Sequence, residues 1–285
     1  QYNILIKGNG VAGHELMIGY LLAMDPGDAK QAVEGAIATT EPAFNLPAFW
    51  IPEDKREEAQ FAGYSVVDLS TVVATHLSEV IRSHAHELLG RQEVQRLLDN
   101  LAKNNPKVVE ELVPGLLPLG GVQKVLQNLL RERISIRDLL TIVETLADYA
   151  AVTKDTEILT EYVRQNLARS ILRPYITPDG TLPVMTLEPR VEDMISEAIQ
   201  RTEQGSFLSL DPGLAQKIIA AIKGKMEKFM EQNLQPIVLT SPAVRRHIRR
   251  LMERFAPLLV VISHNELVPD IEIRSLCMVD LNHAN

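Results

Sequence analysis

Short stretches of helical apolar spacing alternate with proline, glycine and asparagine breakers along most of the chain, and strand-like stretches lie towards both ends. Leu139, Ile142 and Leu146, for example, recur at the steps of one helix face. Residues 237–239 instead form a short apolar run typical of a buried strand. With 285 residues, the chain is long enough for two to four compact units. The pattern predicts a mixed α/β (α+β) protein of several small domains.

The charge and cysteine content limit the partners. The formal net charge is −8 at pH 7, whereas binding to phosphate backbones depends on a surplus of Lys and Arg. We therefore expect no nucleic-acid partner. Cys277 is the single cysteine, so neither a disulfide nor a zinc cluster is expected, and a reducing compartment such as the cytoplasm fits best.

No apolar stretch reaches the roughly 20 residues needed to cross a bilayer. The longest run near the C-terminus, residues 258–262, suits a buried strand. The chain begins at Gln1 and has no signal-peptide pattern. We expect a piece of a longer protein that does not itself span the membrane, with any membrane anchor in the missing part.

The N-terminal segment predicts strands. Residues 2–6 alternate like a half-buried strand, and the Gly-Asn-Gly of residues 8–10 suits a tight hairpin turn. Residues 43–52 are apolar but contain two prolines. Such a segment suits an edge strand or an irregular packed loop.

A strand followed by two helices is expected next. Residues 64–67 have the pattern of a strand, after which Asp68 or Ser70 is expected to cap a helix. A second helix is predicted over residues 91–102, ending at the Asn-Asn-Pro of residues 104–106.

Further helices are expected to start at Ser135, with Asp138 three residues on, and at Asp155. The Pro-Asp-Gly of residues 178–180 has strand-like flanks and predicts a hairpin, so this part resembles a winged-helix unit.

The final segment alternates helix and strand. Strands are predicted at residues 237–239, 258–263 and 271–278, and Ser241 is expected to cap a helix between the first two. This order predicts a small mixed sheet with right-handed crossovers.

The glycines of residues 8–13 match the dinucleotide pattern G-x-G-x-x-G. That fingerprint requires a long helix directly after the glycines and a second strand ending in an acid about 20 residues on. The Asp-Pro-Gly-Asp of residues 25–28 interrupts such a helix. A hairpin is therefore favoured, and an NAD-dependent enzyme remains an alternative of a different class.

The seven histidines do not form a metal-binding pattern, since no two are four residues apart and no cysteine is near. They are His14, His76, His84, His86, His247, His264 and His283. Those at 76, 84 and 86 are expected to be partly exposed on one helix. No metal or cofactor is predicted.

Five arginines cluster on one predicted helix. They are Arg245, Arg246, Arg249, Arg250 and Arg254. An ordinary solvated face is favoured, and an acidic protein partner is the alternative. A Ser241–His264 hydrolase pair is disfavoured, because no G-x-S-x-G elbow is present. No catalytic group is expected.

Long segments of the chain carry a family resemblance. They are TTEPAFNLPAFWIP, AGYSVVDLSTVVATHLSEVIRSHAHELLGRQEVQRLLD, ELVPGLLPLGGVQKVLQNLLRERISIRDLLTIVETLAD and LLVVISHNELVPDIEI. They closely resemble the C-terminal cytoplasmic region of flagellar type III secretion export-gate proteins, and the injectisome counterparts look similar. The resemblance covers residues 2–278.

This resemblance implies a full-length protein with an N-terminal membrane region, placed at the cytoplasmic face of the bacterial inner membrane. Its cytoplasmic part would form four subdomains and assemble into a ring of nine. The subdomains are expected at 1–61 plus 111–130, at 62–110 as an insertion, at 131–208 as the winged-helix-like unit, and at 209–285 as the mixed-sheet unit.

The resemblance also implies a docking platform without enzyme activity. Family members receive export chaperones with their substrates at an apolar depression between the first two subdomains. By resemblance, the depression is lined by Val67, Leu69, Ser83, His86, Leu89, Leu117 and Gly120. Many relatives carry proline where Leu69 stands and an aromatic residue near 86–89.

For Leu89 and Leu117, interdomain core is the alternative role. If Leu89 is an exposed docking residue, Leu89→Asp should weaken chaperone binding and leave thermal unfolding nearly unchanged. Other expected partners are soluble and membrane components of the export apparatus. The alternative within the family is the export gate of a virulence injectisome.

Overall fold

A computed structural model describes residues 1–27, 29 and 31–281. The chain forms two compact units, one up to Gly90 and one from Arg91 onwards. Each unit contains helices and β-sheet, so the predicted mixed α/β class is confirmed. Within the described residues, no helix is long and apolar enough to cross a membrane. The finer division into four subdomains remains a prediction.

The first unit begins with a hairpin. Strands β1 (Tyr2–Ile6) and β2 (Asn9–His14) pair antiparallel, and the turn residues Lys7 and Gly8 have φ of 51° and 81°. Positive φ at both positions is what a two-residue hairpin turn requires, and glycine meets it without strain. The predicted hairpin is confirmed. The remaining glycines of the G-x-G-x-x-G pattern lie in β2, where the dinucleotide fingerprint would need a helix.

A four-stranded antiparallel sheet follows in the order β4-β5-β3-β6. The strands are β3 (Tyr20–Met24), β4 (Ile37–Glu41), β5 (Leu46–Pro52) and β6 (Ser65–Val67). The edge-strand or loop prediction for residues 43–52 is wrong, because β5 lies between β3 and β4. Pro47 and Pro52 stand near its two ends, so the middle of the strand keeps its N–H donors for both neighbours.

Two helices complete the first unit, α1 (Arg56–Phe61) and α2 (Leu69–Leu88). The second unit opens with six α-helices. They are α3 (Arg91–Ala102), α4 (Pro106–Glu111), α5 (Leu119–Arg131), α6 (Leu139–Ala150), α7 (Thr156–Asn166) and α8 (Ala168–Leu172).

The limits of these helices follow local capping rules. The predicted α3 is confirmed, but Pro106 also begins α4, since proline is tolerated in the first helical turn. Asp155 caps α7 as predicted, accepting the Glu157 N–H at 2.8 Å. The prediction that Ser135 opens α6 is wrong. Asp138 caps α6 instead, through the Thr141 N–H at 3.2 Å.

The C-terminal sheet has the strand order β11-β10-β7-β12. Its strands are β7 (Thr181–Leu187), β10 (Ile237–Thr240), β11 (Val260–Ser263) and β12 (Glu272–Val279). All three pairings are parallel, so the sheet is not mixed as predicted. The strands that pair are separated in sequence by long connections, and parallel pairing requires connections of that kind.

Both faces of this sheet are buried, as is usual for parallel strands. One face packs against α9 (Pro189–Glu197), α10 (Pro212–Met230) and α11 (Arg245–Met252), through residues such as Phe229 and Ile248. The other packs against Leu172 and Tyr175.

The hairpin predicted across residues 178–180 does not form. The turn is present, with the Gly180 N–H bonded to Thr177 O at 2.9 Å, but only its second flank is a strand. That strand is β7, which pairs with β10 and β12 because both of its faces are apolar enough to be covered. The hairpin of this region is β8 (Ile199–Thr202) with β9 (Gly205–Leu208).

Helix α11 corrects two further predictions. Its side-chain cap is not Ser241, because the helix begins at Arg245, four residues later, and the Arg245 N–H donates to the Ser241 carbonyl at 3.2 Å. Nor is its basic face entirely solvated, since Arg245 is 1% exposed. Arg245 lies three and seven residues before Ile248 and Met252, so it shares their buried face.

The buried Arg245 joins α11 to two other helices. Its guanidinium donates to both Glu161 oxygens at 2.6 and 2.7 Å, and to both Glu132 oxygens at 2.8 and 2.9 Å. It also donates to the Val261 carbonyl of β11 at 3.2 Å. Such two-pronged contacts use the planar geometry of arginine fully.

Arg164 of α7 extends these contacts. It donates to Glu266 at 2.6 and 3.0 Å, to Glu132 at 3.0 Å and to Val261 O at 3.1 Å. Burial alone would raise the pKa of Glu132, but attraction to Arg164 and Arg245 outweighs it and lowers that pKa to about 2. We call Glu132, Glu161, Arg164, Arg245 and Glu266 the arginine–glutamate network.

We predict that Arg164→Met strongly destabilises the second unit. The substitution leaves the carboxylate of Glu266 buried without its main partner, and breaking a buried pair in this way costs about 3–5 kcal/mol. The free energy of unfolding is measured by chemical denaturation, with hydrogen exchange in β11 as a local report. Arg169→Met is the matched control, because the Arg169–Asp270 pair is exposed. Equal effects of the two substitutions would contradict the prediction.

The network also predicts a dependence on pH. Because the pKa of Glu132 is lowered from 4.5 to about 2 on folding, its contribution is complete above pH 4.5 and is lost as the pH falls towards 2. The contribution is about 3 kcal/mol. We expect the unfolding free energy to fall less steeply over this range in Glu132→Gln than in the parent or in the exposed control Glu227→Gln. If the unfolding free energies of all three proteins fell in parallel with pH, the assigned role of Glu132 would be refuted.

Candidate functional site

The predicted docking residues begin where β6 runs into α2. The Asp68 side chain accepts the Thr71 N–H at 2.7 Å and the Ser70 hydroxyl at 2.7 Å. These hydrogen bonds, from Ser70 and then Thr71, lower the pKa of Asp68 to about 2. Of the two predicted caps, Asp68 is therefore the one that fixes the start of α2.

Val67 and Leu69 flank this cap and are half-buried. Both pack against the cluster that contains Leu22, Trp50 and Val72. They anchor the start of α2 to the antiparallel sheet and keep part of their apolar surface accessible.

One face of α2 is buried within the first unit. It carries Val72, His76, Glu79 and Val80. The Tyr2 hydroxyl shares a hydrogen bond of 2.6 Å with His76 Nδ1, which ties the N-terminal hairpin to α2. Burial lowers the pKa of His76. The prediction of a partly exposed histidine is wrong for His76, whereas His84 and His86 are half-buried.

A different face of α2 exposes large apolar side chains. Leu77, Ile81 and Leu88 are 42%, 47% and 44% exposed. Their spacing of four and seven residues places them in one row along the helix. Sequence analysis missed this row as a site because apolar residues at helical spacing usually indicate the buried face. The signal available was that α2 has more apolar residues than one face can hold.

Three predicted residues lie at the end of α2. Ser83 is exposed and donates to the Glu79 carbonyl at 2.9 Å. His86 is half-buried, with Nε2 3.8 Å from Glu87 Oε1. Leu89 directly follows the helix and is only 9% exposed. The expectation that Leu89→Asp leaves thermal unfolding unchanged therefore does not fit the structure, because a carboxylate would be placed at a buried position.

The remaining two predicted residues lie in the second unit. Leu117 is 1% exposed, and its N–H donates to Leu112 O at 2.9 Å. Its side chain packs on the first turn of α5, where a Cβ added to Gly121 would lie 2.8 Å from Leu117 Cδ1. The guanidinium of Arg91 lies over Gly120 in the same way, 2.9 Å from an added Cβ.

The seven predicted residues thus differ in accessibility. Those of the first unit combine accessible and buried positions around α2, and Leu117 of the second unit is buried. Within residues 1–27, 29 and 31–281, no group of three or more His, Cys, Asp or Glu side chains is arranged to hold a metal ion. His283 lies outside the described residues.

The chain is similar to proteins of a known family. Residues 1–272 match the FHIPEP family. The chain is 44% identical over 281 residues to the flagellar biosynthesis protein FlhA of Bacillus subtilis and 40% identical over 274 residues to that of Escherichia coli. These matches cover 99% and 96% of this chain but 41% and 39% of the relatives. The chain therefore spans about two fifths of their length.

Solved structures show the same fold. The Chlamydia pneumoniae CdsV protein superposes with a TM-score of 0.85 at 31% identity, over 98% of this chain and 80% of CdsV. CdsV in complex with CdsO gives 0.84 at 31% identity, over 97% and 79%. The nonameric cytosolic domain of EscV, from a type III secretion system, gives 0.77 at 28% identity, over 97% and 82%. The resemblance seen in the sequence is confirmed, and the chain belongs to the FHIPEP family.

Proposed function

We propose that this chain is a docking platform of the flagellar type III protein export gate. It binds export chaperones with their substrates, together with other components of the export apparatus, and passes the substrates to the channel. The likeness to FlhA proteins along nearly the whole chain supports this proposal. The solved complex of the related CdsV with CdsO supports partners from the export apparatus.

The single observation that carries the docking role is the exposed apolar row of Leu77, Ile81 and Leu88 on α2. Folding leaves this surface in water although apolar area favours burial by about 25 cal/mol per Å². A partner helix with apolar side chains at helical spacing would cover the row. The polar cap at Asp68 and the exposed Ser83 lie on the same helix and limit how such a partner is oriented.

The predicted docking residues have different roles in this proposal, because some are accessible and others are buried. Val67, Leu69, Ser83 and His86 are accessible enough to touch a partner. Leu89 is buried and supports the end of α2, and Leu117 is buried within the second unit. Gly120 keeps the start of α5 open for the Arg91 side chain.

We propose a binding role and no enzymatic one. The glycine pattern that suggests a dinucleotide enzyme forms a hairpin strand, so the helix N-terminus that would hold a pyrophosphate is not at that place. In the flagellar context, this chain would lie at the cytoplasmic face of the inner membrane, joined to a membrane region of the full-length protein.

The flagellar assignment is favoured over a virulence injectisome. Identity to the flagellar relatives reaches 44%, whereas the EscV domain from a type III secretion system is 28% identical. The nonameric EscV domain supports self-association into a ring, which we propose for this chain as well.

The docking surface is tested with Ile81→Asp. A charge in the centre of the row should oppose burial by the partner, and loss of a central anchor weakens binding by about 2 kcal/mol, or about 30-fold. Calorimetric titration with a flagellar chaperone–substrate complex measures the affinity. Because Ile81 is exposed, the thermal unfolding temperature should not change.

Phe61→Asp is the matched control, since Phe61 is 97% exposed in the same unit but lies on α1. The control should bind like the parent. Unchanged affinity of Ile81→Asp, or equal losses in both variants, would overturn the assignment of α2 as the docking surface.

A further inference from the structure

A cationic groove in the second unit, separate from α2, has no role in the function proposed above. Its walls are α5 and α11, and α7 lies between them. The α5 wall carries Lys124, Asn128 and Arg131, and the α11 wall carries Arg246, Arg249 and Arg250. The cavity measures about 150 Å³. We call it the α5–α11 groove.

The arginine–glutamate network forms the inner end of this groove. Glu132 and Glu161 line the groove, but both accept hydrogen bonds from Arg245. At the rim, Glu157 pairs with Arg250 and lies 4.0 Å from Arg246. The carboxylates of these three residues are therefore already engaged by arginines.

Two other cations of the groove have no acidic partner among the described residues. Lys124 and Arg131 stand seven residues apart on the exposed side of α5, and neither forms an ion pair with another described residue. The Arg249 Nε–H is buried without a hydrogen-bond partner, 4.0 Å from Glu132 Oε2. These donors point to an anionic ligand.

The sign of the groove is opposite to that of the chain. Its lining has the six cations Lys124, Arg131, Arg245, Arg246, Arg249 and Arg250 against the four acids Glu132, Glu157, Glu161 and Glu253. The whole chain carries −8. A local positive field in an acidic protein attracts an anionic segment while the rest of the surface repels it, which selects for approach at this place.

The groove continues into a second depression that favours an extended ligand. The depression shares Lys124, Glu157 and Arg250 with the groove and adds Lys154, the exposed Phe207 and the acids Asp155 and Glu203. A single small anion would fill only one part of this length. A peptide whose carboxylates lie in the groove and whose apolar side chain reaches Phe207 in the charge-balanced depression matches this lining.

We propose that the α5–α11 groove binds an acidic, extended segment of a partner protein. Carboxylates of the segment pair with Lys124 and Arg131 on one wall and with Arg249 on the other. Nucleic acid is the poorer match, because the acids lining the groove and the net charge of the chain oppose a continuous phosphate backbone.

The test uses a fluorescein-labelled oligoglutamate peptide and the full chain, with binding followed by fluorescence anisotropy. The parent should bind it saturably and more weakly as salt is added. The double substitution Lys124→Glu with Arg131→Glu should lower the affinity at least about tenfold. Lys217→Glu with Lys223→Glu is the matched control, because it makes the same change in charge on exposed positions of α10.

Circular dichroism checks that both double variants keep the parent fold. The control should bind within about twofold of the parent. Absence of saturable binding by the parent would overturn the proposal, and equal losses in both double variants would reduce it to an effect of net charge. If a single-stranded oligonucleotide bound as tightly and with the same dependence on Lys124 and Arg131, an acidic protein segment would be the wrong class of partner. None of these outcomes depends on chaperone binding at α2.

Discussion

The second unit depends on charges that folding removes from water. Arg164 and Arg245 are almost completely buried, and each would be strongly unfavourable there without carboxylates on several sides. Those carboxylates come from the end of α5, from α7 and from the turn after β11. Glu132 pairs with both arginines, but Arg164 also needs Glu266 and Arg245 also needs Glu161, so the helical part and the parallel sheet must assemble together. The Val261 carbonyl accepts hydrogen bonds from both arginines and ties the edge strand to the same point.

The two units present surfaces of different physical character. In the first unit, capping at Asp68 and burial of the Val72 face fix the rotation of α2, so Leu77, Ile81 and Leu88 remain in water. In the second, the network occupies the inner carboxylates and leaves Lys124 and Arg131 without acidic partners among the described residues. An apolar row suits a partner helix, and a cationic groove suits acidic residues. The two proposed sites therefore differ in the chemistry that they recognise.

Local signals in the sequence predicted many of the elements correctly. The N-terminal hairpin, the caps at Asp68 and Asp155 and the extent of α3 depend on residues only a few positions apart. The errors had local as well as long-range causes. Ser241 has the chemistry of a cap but lies before a turn, and the prolines of β5 were compatible with an inner strand because they stand near its ends. The docking residues came from a resemblance, and the structure divides them into accessible and buried positions.

The sequence by itself determined the family and the mixed α/β class. It also determined the starts of α2, α3 and α7, because capping and turn formation act between neighbouring backbone groups. Tertiary structure alone decided that β7 joins a parallel sheet with β10 and β12, and that Leu77, Ile81 and Leu88 stay exposed. It also brought Glu132 and Glu161 to Arg245. Arg245 lies on the apolar face of α11, and its charge can be buried there only because these carboxylates pair with it. The reason is physical. Burial and strand pairing depend on contacts between residues far apart in sequence, and helical or strand spacing does not say which apolar face will find a partner.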